Sequence, residues 1–282
     1  MKAYLQLVRA PAALTVLGDT VAGAAAAGNP LRGRRLLLPF SSAAFYWAGM
    51  ALNDWADRKL DAVERPERPI PSGRVRPEQA LAVAGGLTAA GLGLARAAGG
   101  RETLRIAVPL AAAIWSYDTV LKNTPAGPVA MAACRVFDVL LGAGGATRKA
   151  LPSAVAVGGH TLGVTALSRG EVHGATTTTA GAVLAGTGIT ALAAATGARG
   201  WRDRLGALAF TGVYATTVGR AQYDATRDPS AKRVRTATAA GIHGMVPLQA
   251  ALAARRGSLL GAAVVAAALP IARALARKVS PT

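Results

Sequence analysis

The sequence predicts an all-α, polytopic membrane protein: a helical bundle of about nine or ten transmembrane helices forming a single domain over residues 1–282. Three observations carry that prediction. Hydrophobic residues make up 52% of the chain against 16% charged, and the mean hydropathy of +0.33 lies in the membrane range. The apolar residues come in runs close to the ~20 needed to cross a bilayer, punctuated by Gly, Pro and charge clusters. The runs are built from small residues, with 33 Gly and only 5% aromatics, and small residues let membrane helices approach closely.

Taken in order, the runs predict helices near 10–28, 36–53, 77–98, 103–121, 127–146, 151–168, 174–196, 203–222, 235–254 and 257–277. Breaks such as Gly28-Asn29-Pro30, Asn123-Thr124-Pro125 and Arg255-Arg256-Gly257 separate them. The N-terminus has the outline of a secretory signal, with Lys2 and Arg9 ahead of an apolar stretch and Ala24 to Gly28 behind it. Pro11 and Asp19 interrupt the apolar part, and many spans follow, so it reads as a first membrane helix. Strict alternation puts the N-terminus, the 54–76 loop, 122–126, 169–173, 223–234 and the C-terminus on one side. That side holds more than half of the 32 Lys and Arg, which makes it the cytoplasmic face of the plasma (cell inner) membrane. It also holds most of the 14 acids, which topology signals do not explain and a cation-dependent site does.

A net charge of +18 would suggest nucleic acid in a soluble protein. Here the bases lie in short clusters between apolar runs, and the expected partners are lipid headgroups and anionic small molecules, not nucleic acid. Cys134 is the only cysteine and falls in an apolar run, so no disulfide or thiolate metal site is expected. His160, His173 and His243 show no ligand spacing, and no phosphate-binding Gly-rich loop is present.

The charged stretch 53–73 follows directly on the second apolar run. Read helically, Asp54, Asp57 and Asp61 fall within about 60° of one another. Three carboxylates on one stripe repel unless a cation lies between them. Oxygen-only ligands at a membrane surface suit Mg²⁺, which commonly bridges carboxylates to substrate phosphates. The plain alternative is a solvated cap between spans. Asp19, Asp118, Arg135 and Asp138 lie inside predicted helices, where unpaired charges cost several kcal/mol, so each should face the interior or an interface. Arg135 and Asp138, at i, i+3, can pair with each other.

Asn53-Asp54-x-x-Asp57-x-x-x-Asp61 followed by Arg68-Pro69-Ile70-Pro71-Ser72-Gly73 resembles the first signature of the UbiA superfamily of intramembrane prenyltransferases. Ser168-Arg169-Gly170-Glu171-Val172 and the Gly-Pro-x-x-Met-x-x-Cys-Arg run at 127–135 look like a divergent EboC-like branch of it. The resemblance implies a bundle around a central cavity, capped on the cytoplasmic side and open sideways to lipid. It implies transfer of a polyprenyl group from a prenyl diphosphate to a small-molecule acceptor, with Mg²⁺ on Asp54, Asp57 and Asp61. Arg68 and Lys122 would add positive charge, Asn53 would orient the metal-bound oxygens or the acceptor, and Tyr117 with Lys122 loosely matches the family's cationic helix end. Arg135 is a candidate for holding the diphosphate or the acceptor. The family's second Asp-x-x-x-Asp is missing from the loop after the sixth helix. Glu171 stands there alone, with His173 beside it, while Asp224 and Asp228 carry the same spacing two helices later. Either could serve a second metal, and Asp224 and Asp228 could equally form a salt-bridged helix end. The glycine signatures of CDP-alcohol phosphatidyltransferases are absent around Asp54–Asp61. A non-catalytic carrier with the same helices is the alternative reading. Aromatic acids, quinone precursors, sugar phosphates and polyols all stay open as acceptors.

Overall fold

The structure, a computed structural model, describes residues 1–279, whose regular secondary structure is all helical. The helices are α1 (Lys2–Leu7), α2 (Leu17–Ala27), α3 (Leu37–Ala56), α4 (Arg58–Glu64), α5 (Pro77–Ser116), α6 (Gly127–Ala143), α7 (Thr147–Ser168), α8 (Thr177–Ala195), α9 (Trp201–Arg227), α10 (Ala231–Ala254) and α11 (Leu259–Val279). A 3₁₀ turn, Ala10–Thr15, leads into α2, and a π turn, Tyr117–Leu121, ends α5.

The two helices expected at 77–98 and 103–121 are joined as α5 but do not run straight. Gly99 and Gly100 leave helical geometry, Gly100 with φ 64°. Trp115 Nε1 donates to Thr88 Oγ1 at 3.1 Å, although these residues would lie roughly 40 Å apart on a continuous helix. The chain therefore folds back at Gly99–Gly100, and both arms of α5 are of spanning length. Among the described residues, four stretches are long and apolar enough to cross a membrane on hydropathy alone: Ala10–Ala27, Pro77–Leu121, Thr147–Ser168 and Thr177–Ala195. The other long helices carry their charges largely near their ends, where Arg and Lys can reach the interface. Exposed Leu and Val such as Val129, Leu192, Val213 and Leu260 cover the outside of the bundle, as lipid contact requires.

Helix packing relies on missing side chains. A Cβ on Gly23 of α2 would overlap the Val139 carbonyl oxygen of α6, and one on Gly142 would overlap that of Thr20. Neither obstacle is a flexible side chain, so Gly23→Val should separate α2 from α6. The expected result is loss of monodisperse protein on detergent extraction, measured by size-exclusion chromatography, while Gly159→Val, with open space around it, extracts normally.

Contacts chain the loops of one face together. Arg74 donates to Gln6 Oε1 at 2.6 Å, Lys122 pairs with Asp57 at 2.7 Å, and Arg169 bonds the Thr124 carbonyl. Arg235 then donates to the Glu171 carbonyl at 2.7 Å, and Ala175 to that of Pro229 at 2.9 Å. The N-terminus and the four internal loops assigned to one side by alternation thus lie together; the C-terminal residues after 279 are outside the described residues. At the opposite end, Arg255 is buried and ties the Ala193 carbonyl to Ser153 Oγ. Burial, with Arg256 beside it, brings that guanidinium down to about 10.

Candidate active site

The mouth of the bundle is assembled from α3, α4, the loop to α5 and the N-terminal arm. Leu7, fully buried, packs with Ala51, Leu52, Ile70 and Val75, which pins the arm and the 65–76 loop over the end of α3. The chain then turns sharply at Arg9, the one non-glycine residue with positive φ (47°) among the described residues. Such backbone strain persists where surrounding contacts hold it. Here Arg9 reaches Asp54 Oδ1 with Nη2 at 3.1 Å and Met50 Sδ with Nη1 at 3.3 Å.

Asp54 is buried and accepts a second cation. Arg68 Nη1 lies 3.3 Å from Asp54 Oδ1 and 2.6 Å from Asp61 Oδ2. Two carboxylates therefore converge on a single cationic nitrogen. Asp57 does not join them. It is the residue at which α3 ends and α4 begins, so the expected continuous stripe breaks there and its carboxylate turns to Lys122 Nζ, 2.7 Å away. Among the described residues, no three Asp, Glu, His or Cys side chains are gathered tightly enough to chelate one ion as they stand. Of the three aspartates expected on one metal, two converge and a lysine holds the third apart.

Lys122 owes its position to the π turn. Its N–H bonds the Tyr117 carbonyl five residues back at 2.9 Å, widening the helix end so that Tyr117 and Asp118 face inward while Lys122 reaches the mouth. Single π turns of this kind recur at functional sites. Asp118, 5% exposed, accepts from Asn53 Nδ2 at 3.0 Å. Beneath this cage lies a cavity of about 320 Å³, entered past Arg9, Asn53 and Asp118 and walled by Phe45, Gly49 and Met131. A second cavity of about 490 Å³, between α7, α10 and α11, shares Val16, Tyr46, Tyr117, Met131 and Arg135 with the first.

Arg135 lies deep in the bundle, and its partner is not Asp138. Its Nε stands 3.0 Å from Asp19 Oδ2 and its Nη2 3.2 Å from Asp19 Oδ1, while Asp138 accepts from Ser42 Oγ at 2.6 Å. The i, i+3 pairing fails because α2 packs across α6 and delivers the fully buried Asp19 first. The two candidates for a second acidic motif stand apart from the cage. Glu171 lines neither cavity. Asp224 and Asp228 face Arg233 at 4.0 and 3.7 Å with side chains 46% and 59% exposed, so they form the salt-bridged helix end. Exposed pairs of this kind contribute roughly 0–1 kcal/mol. Asp224→Asn and Glu171→Gln should each leave initial rates of the reaction proposed below within about twofold.

Sequence reasoning missed Arg9 and treated Asp118 only as a buried charge to be paired. Asp118 had a signal, since it lies between Tyr117 and Lys122. Arg9 had none, because its role depends on a turn before the first span.

Fold and site together define a class: an integral membrane protein whose many helices enclose a cavity under a mouth of interlocked acids and bases. The chain belongs to the UbiA prenyltransferase family, whose model matches residues 15–280. It is 41% identical over 126 residues to the digeranylgeranylglyceryl phosphate synthase of Methanopyrus kandleri, covering 44% of this chain and 46% of that protein. Over 127 residues it is 43% identical to the enzyme of the same name from Ignicoccus hospitalis, covering 44% and 40%. The matched part is less than half the length of these relatives. Among solved structures, one concerning digeranylgeranylglyceryl phosphate synthase in membranes superposes with a TM-score of 0.69 at 18% identity, over 92% of this chain and 98% of that one. A UbiA homolog from Archaeoglobus fulgidus bound to GPP and Mg²⁺ gives 0.53 at 13% identity, over 84% and 99%. At these identities the structures establish the shared fold.

Proposed function

We propose that the chain is a magnesium-dependent prenyltransferase of the cytoplasmic face of the plasma membrane, with residues 1–282 working as one unit. It moves a prenyl group from a prenyl diphosphate to a hydroxyl-bearing acceptor. The observation that carries this is the convergence of Asp54 and Asp61 on one Arg68 nitrogen, next to a cavity whose lining residue Arg9 pairs with Asp54. A point that attracts a guanidinium between two buried carboxylates is equally suited to a divalent cation with oxygen ligands, so the donor set fits magnesium. Asp54 and Asp61 would hold it, with Asp57 able to join on release from Lys122. Magnesium bound there supplies charge neutralisation on the diphosphate oxygens as the leaving group departs.

The remaining work falls to side chains. Displaced from their carboxylates, Arg68 and Arg9 can turn to the diphosphate, and Lys122 can do so from the opposite side. As the allylic C1–O bond breaks, its electron pair goes to the diphosphate, and these cations favour that charge more strongly than water would. Asn53, held by Asp118, fixes the diphosphate above the cavity. The acceptor oxygen then bonds to C1 and its proton passes to the released diphosphate. Phe45, Met131 and the apolar helix walls keep water from the cation. The larger cavity suits the hydrocarbon tail, because hydroxyls such as those of Thr161 and Ser168 are bonded back to their own helix.

Purified protein in lipid nanodiscs, given labelled geranylgeranyl diphosphate, should release diphosphate with added magnesium, stop with EDTA and recover on magnesium resupply. Tight binding without release would identify a carrier, and absence of binding would remove the prenyl diphosphate from the reading altogether.

A further inference from the structure

The end of the bundle opposite the mouth is basic in a way that its helices do not explain. Arg148 and Lys149 lie in the first turn of α7, Arg202 and Arg204 open α9, and Arg255 and Arg256 follow α10. Asp203 is the one acid in the same three stretches, 144–150, 196–206 and 253–260. Side-chain contacts bring the stretches together. Arg255 reaches from Ser153 of α7 to the Ala193 carbonyl of α8, and a Cβ on Gly206 of α9 would meet Leu259 of α11 at 2.8 Å.

These charges sit against two preferences. Basic side chains in the first turn of a helix lie at the positive end of its dipole. The tendency that sets the mouth on the cytoplasmic side also depletes the far side of Lys and Arg. No carboxylate offsets either cost, since none of the six bases forms an ion pair among the described residues. Arg255, 5% exposed, is held by a carbonyl and a hydroxyl alone. Its Nε and that of Arg256 are buried without an acceptor among the described residues. The charge that acts on Arg255 most strongly is the Arg256 guanidinium, of the same sign.

The outward face beside these bases is apolar. Trp201 is 69% exposed, with the Arg202 guanidinium 5.3 Å from its ring, and the exposed Leu205 and Leu208 continue its face of α9. Leu260, also exposed, stands at the start of α11, which packs on α9 at Gly206. A tryptophan above exposed leucines marks the boundary between headgroups and hydrocarbon, so the bases lie at headgroup depth.

We propose that this end binds an anionic phospholipid, with Arg202 and Arg256 on its phosphate and Trp201, Leu205 and Leu260 along an acyl chain. The head supplies the negative charge that the protein lacks there, through guanidinium groups suited to phosphate oxygens. The apolar track makes a lipid, and not a free anion, the occupant. Such a lipid would bind whatever the chain transfers at its mouth.

Full-length protein in detergent, titrated with dioleoylphosphatidylglycerol or dioleoylphosphatidylcholine, would be followed by native mass spectrometry. Wild type should take its first phosphatidylglycerol at least about fivefold more tightly than phosphatidylcholine. Arg202→Gln with Arg256→Gln should bring the two affinities within about twofold, while Arg227→Gln with Lys232→Gln, at the mouth end, leaves the preference in place. The far-end variant should melt as wild type does without added lipid. If it melts lower, Arg202→Lys with Arg256→Lys, which keeps both charges, decides: a retained preference supports the site and a lost one overturns it. Equal affinity for the two lipids in wild type, or a preference that falls as far in the mouth-end variant, also overturns it. Displacement of phosphatidylglycerol by millimolar inorganic phosphate would do the same, because the ligand would then be a free anion.

Discussion

Replacing Asp54 by alanine should lower the rate of diphosphate release by about 10²- to 10³-fold, the range seen when a single group stabilising transition-state charge is removed. Asp54 is 4% exposed and is the one residue through which Arg9 of the N-terminal arm and Arg68 of the cap are tied to the same carboxylate. Without it, the point where two carboxylates converge keeps only Asp61, and a divalent ion there loses one of its two protein ligands. The bundle should survive. Arg68 retains Asp61 at 2.6 Å, and the Arg9 side chain, 41% exposed, can turn to water. The measurement is release of diphosphate from labelled geranylgeranyl diphosphate at saturating magnesium, beside size-exclusion and melting profiles of the same preparation. A folded variant that turns over within tenfold of wild type would mean that these aspartates cap the bundle and do nothing more. Asp54→Asn separates charge from shape and should fall nearly as far, because an amide binds magnesium weakly.

Much of this arrangement was legible in the residues, and the parts that were not share a cause. Helix positions followed from the runs of small apolar residues, and loops bounded by Pro and charge fell together on one face as alternation required. The Asn53–Asp61 signature lies where α3 passes into α4, beside the loop to α5. What local periodicity could not supply was the break in periodicity itself. Asp57 leaves the stripe because α3 ends on it, and Lys122 arrives because a π turn inserts a residue after Tyr117. Long-range partners were equally hidden: Arg135 is near Asp138 in sequence yet belongs to Asp19, more than a hundred residues away. In the second acidic motif, spacing misled. Asp224 and Asp228 have the right interval on the right face, but α9 presents them outward to Arg233.

The pairing of Asp19 with Arg135 leads to the largest expected effect on stability. Asp19 is fully buried, and the Arg135 side chain is 16% exposed and lines both cavities. Asp19→Ala removes the two-point partner of the guanidinium and the acceptor of Gln249, in a region where water cannot replace them fully. Removing one member of a buried pair typically costs about 3–5 kcal/mol, most of it the penalty of the charge left behind. Intramembrane charges carry a comparable penalty when unpaired. Asp19→Asn should cost less, since it keeps an oxygen for Arg135. The double variant Asp19→Leu with Arg135→Met should recover most of the loss, because no charge then remains to be compensated. Thermal unfolding in detergent, followed by exposure of the Cys134 thiol to a fluorogenic reagent, orders the variants. Wild type should melt highest, the double variant and Asp19→Asn next, and Asp19→Ala lowest. If Asp19→Ala melts with the wild type, Arg135 has another anchor.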